Sequence, residues 1–170
     1  MVTSFALSLA LLALACGDKA PPLPAACSAF GIAFKGEGGN AHVADCASTQ
    51  CGNGENPPTA GAHCPQTLAC HGYDAAQQRC RWIHNLEHGH LVLAYNCPTG
   101  CPDVVAALEK IRAAAPDRRI LTPDPALPKR VAAVVWGYAY SSDDVNTAAI
   151  DCVIGQQDQA APEPGLACSH

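Results

Sequence analysis

Apolar and polar positions divide this chain into three stretches of different character. Met1 to Ala15 is an uncharged apolar run that ends on small residues. From Cys27 to Cys80 apolar periodicity is weak and Gly, Cys, Asn and Pro recur, which predicts a loop-rich region. Beyond it, Arg81-Trp82-Ile83-His84 and Leu91 to Tyr95 are β-favouring runs flanking a glycine-containing turn, so they predict a hairpin. Pro102 opens a helix with Val104, Leu108 and Ile111 on one face, running to about Ala114. Arg119 to Thr122 predicts a short strand and the almost wholly apolar Val131 to Trp136 a central one. Ser141 or Ser142 can cap a last helix that buries Val145, Ala149 and Cys152 and stops at Gly155. The resulting ββαββα order predicts an α+β fold: a small antiparallel sheet with two helices packed on it. No internal repeat is visible.

The ends and the cysteines change that picture. The first fifteen residues are too short to span a bilayer and read as an export signal, although their start carries no Lys or Arg. Leu12-Ala13-Leu14-Ala15-Cys16 resembles a bacterial lipobox, whose cysteine is acylated and becomes the mature N-terminus. Eleven cysteines are present, and lipidation of Cys16 leaves ten, an even set for disulfides in an oxidising compartment. Acyl chains on Cys16 would anchor the protein to membrane lipid at the cell envelope, on the periplasmic or outer-membrane side. Residues 16–26, with Pro21, Pro22 and Pro24, read as an irregular tether, and 27–170 as a single domain. Three Phe against fourteen Gly and fourteen Pro leave an aliphatic core, which disulfides would reinforce by restricting the unfolded chain. Cys46 with Cys51, and Cys97 with Cys101, enclose short loops and are candidate local bridges. A net charge of −5 with no basic run argues against nucleic acid as a partner.

Candidate chemistry concentrates in Ile83-His84-Asn85-Leu86-Glu87-His88-Gly89-His90. Imidazole is the commonest protein metal ligand and the usual proton carrier near neutrality. His84 to His88 also matches the H-x-x-E-H signature of inverted zinc metallopeptidases, in which a helix places both histidines on one face. The flanks here favour strand, and Gly89 would stop such a helix after one turn. Those peptidases are also larger and use a distal glutamate, whereas the only downstream glutamates are Glu109 and the proline-flanked Glu163. On a hairpin, side chains two or four apart share a face, so His84, His88 and His90 could still converge. His63, on the proline turn after Pro57-Pro58, and His42 are further candidates. With the cysteines in disulfides, a metal would be held by nitrogen and oxygen, which suits zinc or copper. His71 and His170 look incidental, and Trp82, Tyr95 and Trp136 suit core or sheet positions. No Gly-x-Ser-x-Gly elbow or phosphate-binding glycine loop competes with the histidines.

Two motifs together, Asn56-Pro57-Pro58-Thr59-Ala60-Gly61-Ala62-His63 and Ile83-His84-Asn85-Leu86-Glu87-His88-Gly89, resemble the bacterial family called domain of unknown function 3105. Its members carry an N-P-P-T-S-G-x-H turn, then a V-H-x-L-E-H-G segment and a strand ending in Tyr. His42-Val43, Cys70 with Gly72-Tyr73, Ile120 to Pro123, Ala133 to Gly137, and Pro162 to Gly165 before Cys168 extend the likeness over most of the chain. The resemblance implies His63, His84, Glu87 and His88 as site residues, His90 less firmly, and Cys70 and Cys168 as partners. It implies no reaction. Ala60 replaces the motif's serine; Cys64 and Cys80 stand where the family pattern has no cysteine, which suggests an extra local staple, and Cys46 and Cys51 look like an insertion of this chain.

Three functions fit these residues. The first is a metal site of His63, His84, His88 and Glu87, with His42 and His90 as weaker candidates, for binding, delivery or sensing. The second is a metal-dependent hydrolase or an acid–base enzyme using Glu87. The third is a structural or interaction module whose histidines only hydrogen-bond the turn.

Overall fold

A computed structural model describes residues 22–168. The export signal, Cys16 and the first part of the tether lie outside the described residues. In chain order the elements are α1 (Ala25–Ser28), α2 (Arg79–Glu87), β1 (Leu91–Tyr95), α3 (Pro102–Ala113), β2 (Arg119–Pro123), β3 (Val131–Val135), β4 (Tyr138–Ser142) and α4 (Thr147–Ile154). The tether's end is not irregular throughout: α1 is a single helical turn behind Pro24, and Cys27 is bridged to Cys152 of α4.

The strands form one sheet in the order β2-β1-β3-β4. The α+β class therefore holds, but the sheet is mixed. β1 and β2 run parallel, with Val92 opposite Ile120, whereas β1–β3 and β3–β4 are antiparallel. Parallel neighbours need a long crossover, and α3 supplies it. Every residue of β3 is buried, which requires cover on both faces. Leu91, Leu93, Leu121, Val131, Ala133 and Val135 pack with Val104 and Leu108 of α3 and Ile150 and Val153 of α4. Val92, Ala94, Ile120, Ala132 and Val134 instead meet Trp82, Ile83 and Leu86 of α2. The histidine-bearing element thus forms a third layer.

That layer corrects the expected hairpin. Trp82, Ile83 and Leu86 carry helical spacing, but over too few turns to outweigh the β propensity of Arg81 to His84 in the sequence. Burial against the sheet decides the matter, since propensity is a weak prior beside packing. Gly89 does end the helix, as expected, but after more than two turns. Its N–H bonds Leu86 O at 2.9 Å and the His90 N–H bonds Asn85 O at 3.0 Å, the paired bonds of a Schellman motif. Gly89 holds φ at 77°, and a Cβ there would run into the Asp158 carboxylate. Ser141 and Ser142 lie in β4 rather than capping α4; the cap is Asn146, whose Oδ1 accepts from Ala149 N at 3.1 Å.

Five disulfides link the described residues: Cys27–Cys152, Cys46–Cys64, Cys51–Cys80, Cys70–Cys168 and Cys97–Cys101. The Cys97–Cys101 pair is the local bridge expected, and Cys70–Cys168 is the pair the family likeness implied. A Cys46–Cys51 bridge does not form. Their segment lies against the proline turn and α2, so Cys46 reaches Cys64 and Cys51 reaches Cys80, at Cα separations of 5.0 and 5.2 Å.

Asn85 of α2 is fully buried, and its side chain imitates a strand neighbour for Leu68. Oδ1 accepts from Leu68 N at 2.7 Å, and Nδ2 donates to Leu68 O at 2.9 Å and to His90 Nδ1 at 3.1 Å. Orphaning a buried polar group costs about 1–3 kcal/mol. Asn85→Ala is therefore expected to lower unfolding stability by about 3 kcal/mol or more, measured by urea denaturation; a loss below about 1 kcal/mol would refute this account of Asn85.

Candidate metal centre

The site is built where the proline turn meets α2. Asn53 closes the turn: its Oδ1 accepts from Thr59 N at 3.3 Å and its Nδ2 donates to Thr59 Oγ1 at 3.0 Å. The turn then leads through Gly61, whose φ of 103° favours glycine and where a Cβ would run into the backbone of Gly52. That close approach lets His63 pair with His42 as a parallel bridge, His63 N bonding Ala41 O at 3.1 Å and Val43 N bonding His63 O at 2.7 Å. Helical spacing places His84, Glu87 and His88 on one face of α2. The two elements thus bring one ligand atom each of His42, His63, His84 and Glu87 within 4.8 Å of one another.

Hydrogen bonds set the tautomers. His63 Nδ1 lies 3.0 Å from Gly61 O and His84 Nδ1 lies 2.9 Å from Cys64 O. A carbonyl only accepts, so both Nδ1 atoms carry hydrogen and both Nε2 atoms are left for the site. His63 Nε2 is 3.0 Å, and His84 Nε2 3.7 Å, from the same Glu87 Oε2. Asn40 Nδ2 donates to Glu87 Oε1 at 2.7 Å. His63, His84 and Glu87 are buried, Trp136 stands edge-on to His63, and His42 is exposed. The arrangement is a buried carboxylate facing imidazole lone pairs, open to solvent on the His42 side.

The remaining expectations divide. His88 packs its ring against His84, with centroids 4.7 Å apart, but its Nδ1 points to Glu163 Oε2 at 3.5 Å rather than into the four-residue group. His90 is a fastener: Nε2 donates to Leu166 O at 2.7 Å and Nδ1 accepts from Asn85. It also lies beside Cys70 and Cys168, but their sulfurs are joined to each other and are not free thiolates. His42, the weaker candidate, sits with His63 and His84. His71 packs edge-on with Tyr73, outside the group, and His170 lies outside the described residues. Trp82 and Trp136 are buried in the core and Tyr95 is half-buried at the end of β1, as expected. Asn40 and the proline-flanked Glu163 also reach Glu87, although nothing in their spacing along the chain places them there. The H-x-x-E-H segment is helical after all. Its two histidines nevertheless face different partners.

Fold and site together define a disulfide-stapled α+β domain with a buried histidine–glutamate cluster. The chain belongs to the family described as "Protein of unknown function (DUF3105)", whose family model matches residues 42–170. No curated protein and no solved structure matches it. The disulfides are consistent with an exported domain, and no helix among the described residues is long and apolar enough to cross a membrane.

Burial, reinforced by His63 and His88, holds His84 down to about 4, and burial likewise holds His90 at about 4. Unfolding lets both rise toward 6.5, so the unfolded chain takes up protons between these values and stability falls with pH there. The contribution is full above pH 6.5 and is lost as pH drops toward 4; for His90 it amounts to about 3 kcal/mol. Denaturation of metal-free protein across this window should show that loss, and His90→Gln should flatten the slope. An unchanged slope in that variant would contradict the assignment.

Proposed function

We propose that this protein binds a divalent transition-metal ion, zinc or copper, through His42, His63, His84 and Glu87. Its place would be the bacterial cell envelope, tethered by lipidated Cys16, where it binds, delivers or senses the ion. One observation carries the reading. With Nδ1 of His63 committed to a carbonyl, its Nε2 lone pair and the Glu87 carboxylate face each other at 3.0 Å in a buried site. Two acceptors at that distance repel unless a cation stands between them. A proton can do so, but a third and a fourth ligand atom within 4.8 Å favour an ion. Four ligands at bonds near 2.0–2.1 Å are separated by about 3.3 Å, and the 3.0 and 3.7 Å from Glu87 Oε2 to the two imidazoles lie on either side of that spacing. Nitrogen and carboxylate donors without thiolate suit zinc or copper(II). Asn40 would orient Glu87, and the Gly61 and Cys64 carbonyls would orient the imidazoles.

A hydrolytic reading rests on the exposure of His42. If water takes that position, His63, His84 and Glu87 form a three-ligand site with an open place, the arrangement of catalytic rather than structural zinc. Glu87 would then hold the ion rather than act as base.

Metal analysis of disulfide-intact protein tests the proposal. At least one full equivalent of zinc or copper is expected, with binding weakened by about tenfold or more in His63→Ala and His84→Ala. Asn40→Ala, which leaves every ligand in place, should weaken it by about tenfold. At one hundred times Kd the ion should add about 2.7 kcal/mol to unfolding stability, removable by chelator. Absence of stoichiometric metal in the wild type, with melting unchanged by chelator, overturns the proposal.

A further inference from the structure

Beside the first cluster, ligand atoms of Glu87, His88 and Glu163 also lie within 4.8 Å of one another. We propose that these three residues hold a second divalent cation, with Glu87 as a carboxylate bridging two adjacent ions. This rests on the first-ion reading, because the two sites share Glu87.

Three observations carry it. His88 Nδ1 is shielded from solvent and makes no hydrogen bond. It stands 3.5 Å from Glu163 Oε2, long for a hydrogen bond but close to the spacing of two ligands on one ion, about 3.3 Å at zinc bond lengths. Second, the chain delivers Glu163 to this spot with several independent fastenings. Glu163 N bonds Glu87 O at 3.0 Å, the tail's Leu166 O accepts from His90 at 2.7 Å, and Cys168 is bridged to Cys70. Pro162 and Pro164 stiffen the residue on either side. Third, the rings of His84 and His88 are 4.7 Å apart, so ions held by the two histidines would be neighbours on one face of α2. Paired ions about 3.5–4 Å apart are the arrangement that other proteins use to hold and polarise oxygen ligands. With one imidazole and two carboxylates the second place is richer in oxygen than the first, and Glu163 leaves it more exposed.

Counting bound zinc on the full disulfide-intact chain tests this, by calorimetric titration and by elemental analysis after gel filtration. Wild type should take up two equivalents. Glu163→Gln, a substitution at an exposed side chain, and His88→Gln should each take up one, with the Kd of the lost ion raised by about tenfold or more. Melting in chelator should match wild type for Glu163→Gln, which shows the fold intact. A single wild-type equivalent, unchanged in Glu163→Gln, overturns the second site and leaves the first standing; His88 and Glu163 are then simply an ion pair. Two equivalents retained in both variants overturn the ligand assignment. No uptake of either zinc or copper removes both sites together.

Discussion

Glu87 sits in the interior, held by one amide and faced by two imidazoles, and among the described residues no lysine or arginine pairs with it. A buried carboxylate is costly unless its charge is met, so the surrounding structure must supply positive charge there. The neighbouring carbonyls fix how it can be met, because they accept hydrogen bonds from Nδ1 of His63 and His84 and so turn both Nε2 atoms toward the carboxylate. Much of the domain's organisation serves to keep these groups in place. The glycine at 61 admits close backbone approach, the Schellman motif ends α2 just beyond Glu87, and Trp136 walls one side.

The cysteines act on the same region. Cys46–Cys64 and Cys51–Cys80 both fasten the loop between His42 and the proline turn to elements carrying His63 and His84. Cys70–Cys168 holds the C-terminal segment that presents Glu163. Cross-links of this kind stabilise chiefly by restricting the unfolded chain, and here the restricted segments have little regular structure of their own. The sheet and its helices form a conventional core. The disulfides extend order outward from that core to the site.

Legibility in the sequence followed the range of the physical signal. α3, β2 and β3 were readable because Pro102, the Val104/Leu108/Ile111 spacing and the apolar run at Val131 act locally. α2 is not legible in this way, because Trp82 and Ile83 favour strand locally, whereas burial against Val92, Ile120 and Val134 makes the segment helical. β4 leaves little trace for a related reason: Tyr138 to Ser142 is mostly half-buried and polar at its end, so it has strand pairing but no strong pattern. Of the site, motif spacing points to His63, His84 and Glu87, which the fold brings together; His42 joins them across a backbone bridge, and His88 lies beside Glu163.

By itself, then, the sequence determined the family, the disulfide-rich α+β character and the short list of histidines and glutamate, since motif spacing and cysteine count are properties of the chain. Only the tertiary structure decided which of them meet. His42 and His63 come together through a backbone bridge, His90 is diverted to fasten the tail, and Glu163 arrives from far along the chain. Such convergence depends on turns, cross-links and burial acting across the whole fold, and no local pattern of residues records it.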